Sequence, residues 1–218
     1  MQIKVVEKVF AANDLMAQEL RDRFEEAGLF VVNLMGSPGA GKTSLVERTL
    51  EHVGDGFKIG VIEGDLATSL DADRIARLGA PVVQINTGGA CHLDAAMIKK
   101  ALERLDISGL DILLIENVGN LVCPVQFDLG EACKVVVCSL PEGDDKALKY
   151  PATFSLASAV VLNKIDLLEH LRFDMPGFKR SLGGLNPNAP LIELSCFTKE
   201  GIDWWVEWLK QGVNKRKS

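Results

Sequence analysis

Short, nearly continuous apolar runs punctuate this chain, at 30–35, 58–64, 81–86, 111–116, 134–139, 159–163 and 190–195, with cores such as VVNLM, ILLI, VVV and AVVL. A strand with one wet face alternates apolar and polar residues, whereas an unbroken apolar strand is buried on both faces. Helix-compatible segments lie between the runs, near 42–52, 69–78, 93–105, 167–182 and 201–212. This alternation predicts an α/β fold: a mostly parallel central sheet with helices on both faces, binding ligands beyond the carboxyl ends of its strands. Residues 10–27 add Met16, Leu20, Phe24 and Ala27 at helical spacing, closed by Gly28, so an extra amphipathic helix precedes the first strand. No repeat, low-complexity tract or linker intervenes. Residues 1–29 read as a helical extension and 30–218 as one domain. Trp204, Trp205 and Trp208 stand at helical spacing and are expected to anchor the last helix on the sheet, with Trp204 or Trp205 free to be exposed.

Directly after the first apolar run stands Gly36-Ser37-Pro38-Gly39-Ala40-Gly41-Lys42-Thr43, followed by Ser44 and a helix-compatible stretch. This is the P-loop pattern G-x-x-x-x-G-K-[ST]. Glycines let backbone N–H groups converge on phosphate oxygens at the start of a helix. Lys42 supplies a point charge for the β- and γ-phosphates, and the Thr43 hydroxyl suits Mg²⁺. The architecture is therefore expected to be that of a P-loop nucleotide-binding protein.

Asn163-Lys164-Ile165-Asp166 ends another apolar run. An aspartate there accepts from both N1–H and the 2-amino group of guanine, a donor pair that adenine lacks, and a buried site makes such discrimination strong. Asn163 orients the loop and reaches the purine N7, while the Lys164 stem lies along the base. Ser195-Cys196, at the end of a later strand, is expected to touch the base oxygen. The nucleotide is read as GTP, with GDP as product. Asp65 and Glu116 both close strands near the P-loop. Asp65 is assigned beside Mg²⁺ and the attacking water, and Glu116 to the outer shell or to positioning that water. No arginine in the chain is identifiable as an internal finger, so slow intrinsic turnover is expected.

Cys91-His92 follows the third strand and Cys123 follows the strand ending in Glu116. Two thiolates and an imidazole form a soft donor set suited to Zn²⁺ or Ni²⁺, and three ligands leave a position open for a symmetric partner chain. The spacing alone also allows His92 to cap the helix that begins near Leu93. Cys133 and Cys138 look like strand or core positions.

A formal net charge of −6 argues against a general nucleic-acid binder, and no apolar run is long enough for a membrane helix. The odd count of five cysteines suits a reducing, cytoplasmic compartment better than a disulfide framework.

In order, the chain carries GSPGAGKTS, EGDLATSLDADRI, NTGGACHLDA, ENVGNLVCPVQFDLGE, PEGDDK and NKID. Over roughly residues 30–210 it resembles the HypB family, GTPases that assist nickel insertion into [NiFe]-hydrogenase. The urease accessory family UreG is similar in fold and P-loop but carries a Cys-Pro-His motif that is absent here. The resemblance implies a GTPase metallochaperone of the SIMIBI class that dimerises across nucleotide. It implies a Ni²⁺ or Zn²⁺ site of Cys91, His92 and Cys123 at the dimer interface, and partners in a HypA-like nickel chaperone and the hydrogenase large-subunit precursor. It also implies that Lys149, or nearby Lys146, faces the phosphates across the dimer. Many members add an N-terminal cysteine motif or a histidine-rich stretch. Residues 1–29 contain neither Cys nor His, so metal handling falls to the GTPase-domain site.

Overall fold

The structure, a computed structural model, describes residues 4–54, 56–65 and 70–217. Its centre is a seven-stranded sheet in the order β3-β2-β4-β1-β5-β6-β7. The strands are β1 (Phe30–Met35), β2 (Ile59–Asp65), β3 (Val82–Asn86), β4 (Ile112–Glu116), β5 (Cys133–Ser139), β6 (Ala159–Asn163) and β7 (Leu191–Glu193). Every pairing in this sheet is parallel, which sharpens the expected mostly parallel arrangement. β1, β4, β5 and β6 are buried almost throughout, as their apolar runs require. Strand order reverses at β1, which lies between β4 and β5. The crevice beyond such a switch point is where an open α/β sheet binds ligand.

Helices cover both faces. α2 (Lys42–His52), α3 (Leu70–Ala76) and α8 (Ile202–Lys217) close one face around Val32, Leu34, Val61, Leu114 and the fully buried Trp205. Trp205 Nε1 donates to Thr49 Oγ1 at 2.8 Å, which satisfies its polar atom inside the core. Trp204 is 75% exposed, so the tryptophan row anchors α8 through Trp205 and the half-buried Trp208.

On the other face α1 (Lys4–Glu26) and α4 (Ala95–Ala101) pack on Val31, Ile62, Leu113 and Ile115. The stripe that α1 buries runs Asn13, Ala17, Leu20 and Phe24, whereas Ala27 is exposed beyond its end. Gly28, at φ +62°, donates to Glu25 O while Leu29 donates to Phe24 O, closing the last carbonyls. Beyond β5, α5 (Lys146–Lys149), α6 (Pro151–Ser155) and α7 (Met175–Leu185) close a third cluster around Phe154 and Phe178.

Several expected boundaries move, two of them for a visible local reason. The segment 167–182 splits into a 3₁₀ turn at Ile165–His170 and then α7. Pro176 tolerates only the first turn of a helix, and Asp174 caps that turn by accepting from Gly177 N–H at 2.9 Å. β7 stops at Glu193 rather than 195, because Ser195 N–H turns to Glu200 O.

Candidate functional site

Loops from the carboxyl ends of β1, β4, β6 and β7 converge on the start of α2. Gly41 takes φ +98°, and a Cβ there would lie 2.2 Å from Asn163 Nδ2. Any larger residue would displace the Asn163 amide that holds the P-loop to the β6 end. The Asn163 amide donates to Ala40 O at 3.0 Å and accepts from Lys164 N–H at 2.7 Å and Cys196 N–H at 3.1 Å. It clamps the P-loop, the NKID turn and the Ser195-Cys196 loop together. Lys164 adopts φ +64° and donates to Gly39 O at 2.7 Å. Ser195 Oγ donates to Asp166 Oδ1 and accepts from the Phe197 and Thr198 N–H groups at 3.2 and 3.1 Å. These loops line a cavity of about 290 Å³ with Gly41, Ser44, Asp166 and Cys196 in its wall.

Lys42 is buried and folds back, its Nζ donating to Gly36 O at 3.1 Å and Ser37 O at 3.4 Å. Burial lowers its pKa, against the pull of Glu116. Thr43 Oγ1 donates to Glu116 Oε1 at 2.8 Å. The carboxylate in direct contact with the P-loop threonine is thus Glu116, while Asp65 stands half-buried at the end of β2. Residues 66–69 of the EGDLATSLDADRI motif lie outside the described residues.

A further carboxylate was not legible as a site residue. Glu63 faces Glu116 in register across β2 and β4 and is 2% exposed. Burial pushes Glu63 up to about 8, helped by the negative charge of Glu116. Burial likewise raises Glu116 to about 7, opposed by Lys42 and Thr43. The Oε2 atom of each has no hydrogen-bond partner. Two orphaned carboxylate oxygens beside a threonine hydroxyl fit a hard divalent cation, whose charge offsets the cost of burying them. The signal in the sequence was slight: Glu63 continues the buried rank of Ile59 and Val61 at strand period.

Cys91, His92 and Cys123 come together, their donor atoms within 4.8 Å of one another. Cys91 Sγ donates to Cys123 Sγ at 2.9 Å and lies 3.7 Å from His92 Nδ1. The hydrogen bond to Cys123 raises the Cys91 thiol, and burial lowers the His92 imidazole. A neutral imidazole with two thiols at this range fits Ni²⁺ or Zn²⁺ once the thiols deprotonate. The cap of α4 is Asp94, which accepts from Met97 N–H at 2.8 Å, so His92 is not spent as a cap. Cys133 and Cys138 lie in β5, their thiols raised by burial, to about 12 for Cys133. Burial also raises the Cys196 thiol, to about 11.

The segment 117–123 links the two sites. Gly36 and Asn120 form an antiparallel bridge, and a Cβ on Gly119 would lie 2.8 Å from Pro38 Cγ. Asn120 Nδ2 donates to Cys91 O at 3.3 Å, and Asn117 Oδ1 accepts from Leu93 N–H at 3.1 Å. Asn117 Nδ2 continues to Asn33 Oδ1, and Asn33 Nδ2 to Glu131 Oε1, forming a buried polar chain under both sites. Lys149 projects from α5, paired with Asp145 at 2.7 Å, whereas Lys146 is tucked against Glu142 at 2.9 Å.

The family described as CobW/HypB/UreG, nucleotide-binding domain, matches residues 30–193. Hydrogenase maturation factor HypB of Azotobacter vinelandii is 49% identical over 209 residues, spanning 96% of this chain and 69% of that protein. This chain belongs to the HypB family. Hydrogenase/urease maturation factor HypB of Helicobacter pylori strain J99 is 46% identical, spanning 95% of this chain and 86% of that one. The crystal structure of HypB from Helicobacter pylori in complex with nickel superposes with a TM-score of 0.90 at 41% identity, covering 94% of this chain and 96% of that one. The HypB family thus accounts for the parallel sheet and the P-loop together.

Proposed function

We propose that this chain is a GTP-hydrolysing nickel metallochaperone for hydrogenase maturation, acting in the cytoplasm, whose metal site responds to the nucleotide. One observation carries the reading: the stretch from Glu116 to Asn120 touches Thr43 through Glu116, the P-loop through Gly119 and Asn120, and the Cys91 carbonyl through Asn120. A shift of the P-loop or of Glu116 on phosphate binding is thereby transmitted to the metal donors.

In this reading GTP lies with its phosphates on Gly36–Ser44 and its guanine on Asp166, with Asn163 and Ser195-Cys196 framing the base. Lys42 leaves the Gly36 and Ser37 carbonyls for the β- and γ-phosphates. Thr43 and Glu116, with Asp65 and Glu63 alongside, hold Mg²⁺, which supplies charge neutralisation on the phosphates when bound. Asp65 or Glu116 orients the attacking water. Turnover is slow, because no arginine is assigned to the γ-phosphate.

Cys91, His92 and Cys123 carry Ni²⁺ or Zn²⁺ as cargo on an accessible edge, and a second copy of the chain completes the coordination. Lys149, the projecting lysine, reaches toward the nucleotide of that second copy. A HypA-like chaperone and the hydrogenase large-subunit precursor are the partners. Sedimentation with GTP, GDP and no nucleotide tests the dimer: GTP is expected to favour it, and one oligomeric state under all three conditions contradicts it.

The urease wording attached to the Helicobacter pylori relative favours one second reading, service to another nickel enzyme. Deleting the gene separates them: loss of hydrogenase activity alone supports the first, and loss of urease activity alone the second. Undiminished nickel delivery by Lys42→Ala would instead favour a carrier that uses nucleotide merely as structure.

A further inference from the structure

Helix α1 touches both segments that bear the metal donors. Asn13 Oδ1 accepts from Ala95 N–H at 2.9 Å, and Asn13 Nδ2 donates to Asp128 O at 2.9 Å. Ala95 opens α4 just beyond His92, and Asp128 lies just beyond Cys123. The 128–131 turn sits directly on the helix: a Cβ on Gly130, at φ +76°, would lie 2.8 Å from Ala17 O. Arg21 grips the Asp128 carboxylate with two hydrogen bonds of 2.8 and 2.7 Å. Phe127, immediately before that turn, stacks on the His92 ring with centroids 3.7 Å apart and planes 19° apart. Phe10 of α1 backs Phe127 at 5.5 Å.

Each contact has a distinct consequence. An amide engaged at both ends across two separate segments acts as a spacer between them. A ring stacked face to face fixes the plane of the imidazole, and with it the direction of the ring nitrogen lone pair. Groups that orient metal ligands from behind contribute to affinity without touching the ion.

We propose that α1 braces the metal site: Asn13 sets the separation of the two donor-bearing segments, and Phe127, backed by Phe10, sets the plane of the His92 ring. Both are positioning residues. The inference rests on Cys91, His92 and Cys123 being the metal site, and it adds that the N-terminal helix is part of that site's construction.

The test is a Ni²⁺ titration of the full chain, followed through the thiolate-to-nickel charge-transfer absorption. Its variants are Phe127→Leu, Asn13→Ala, His92→Ala and the Phe127→Leu/His92→Ala pair, with GDP affinity as the control for folding. Phe127→Leu and Asn13→Ala are each expected to weaken Ni²⁺ binding about tenfold, the lower end for outer-shell groups. GDP affinity should change less than about twofold. Phe127→Leu should also shift the absorption band, and in the His92→Ala background it should change Ni²⁺ affinity less than about twofold, because its effect runs through His92. Wild-type Ni²⁺ affinity in both single variants overturns the brace. So does an equal loss from Phe127→Leu in both backgrounds, or a parallel loss of GDP binding. Cys123→Ala separates the two levels: nickel binding that survives it overturns the metal-site reading itself, whereas binding abolished by Cys123→Ala but intact in Phe127→Leu and Asn13→Ala overturns the brace alone.

Discussion

Thr43 Oγ1 donates to Glu116 Oε1 at 2.8 Å, joining the first turn of the P-loop helix to the end of β4. The next residue, Asn117, accepts from Leu93 N–H beside His92. Adjacent residues of one strand end therefore touch the P-loop helix and the Cys91-His92 loop. A hydrogen bond to a charged carboxylate is worth about 1.5–3 kcal/mol net and the neutral Asn117 bond about 1 kcal/mol, enough to bias loops that have two arrangements.

Glu116→Gln keeps an oxygen for Thr43 and removes the charge. GTP turnover should fall about 100-fold, the scale of losing one electrostatic contributor in a closed site. Single-turnover phosphate release measures it; an unchanged rate would move the role to Asp65.

Glu63 and Glu116 make the metal-free protein sensitive to pH. Their folded values, about 8 and about 7, lie above the ordinary 4.5 of a glutamate. Between those limits the folded state binds more protons than the unfolded state, so stability declines as pH rises. The melting temperature of chelator-treated, nucleotide-free protein should drop from about pH 5 to about pH 8 and then level. Glu63→Gln should flatten the profile. A wild-type profile that stays level or climbs over this range contradicts the carboxylate pair.

Asp166→Asn exchanges an acceptor for a donor. GDP affinity should fall between about tenfold and about 100-fold, the range for a charged hydrogen bond. Xanthosine diphosphate, with an oxygen where guanine has its amino group, should gain. Competition binding of the two diphosphates reads both changes, and equal losses for both would remove Asp166 from base recognition.

The tryptophans separate core from surface. Trp205→Ala should destabilise by about 3–5 kcal/mol, since it empties a core position and removes the donor from which Thr49 Oγ1 accepts. Trp204→Ala, at an exposed position, should stay within about 0.5 kcal/mol. Urea melts of the two variants provide the comparison.

What could be read from the chain follows from how local each signal is. The seven apolar runs, the P-loop and the NKID turn are local, and the sheet places them where their patterns indicate. Cys91, His92 and Cys123 were legible as chemistry, but their convergence depends on β2 lying between β3 and β4. Glu63 was hidden because a carboxylate in an apolar strand has no pattern of its own. Its meaning comes from the residue facing it, Glu116, in another strand. Asn13, Asn33 and Asn117 are likewise silent in sequence, since each is defined by hydrogen bonds to distant backbone and side chains. The short helices α5 and α6 escape because four or five residues cannot display a 3.6-residue period.

The central claim is that nucleotide state controls the metal site. Ni²⁺ titration of the protein loaded with GDP, and with a non-hydrolysable GTP analogue, tests it most directly, beside a Cys123→Ala control. The account predicts affinities that differ between the two loaded forms by about fivefold or more, the lower end of a typical coupling, and binding that vanishes in Cys123→Ala. Equal Ni²⁺ affinity in both nucleotide states would contradict it.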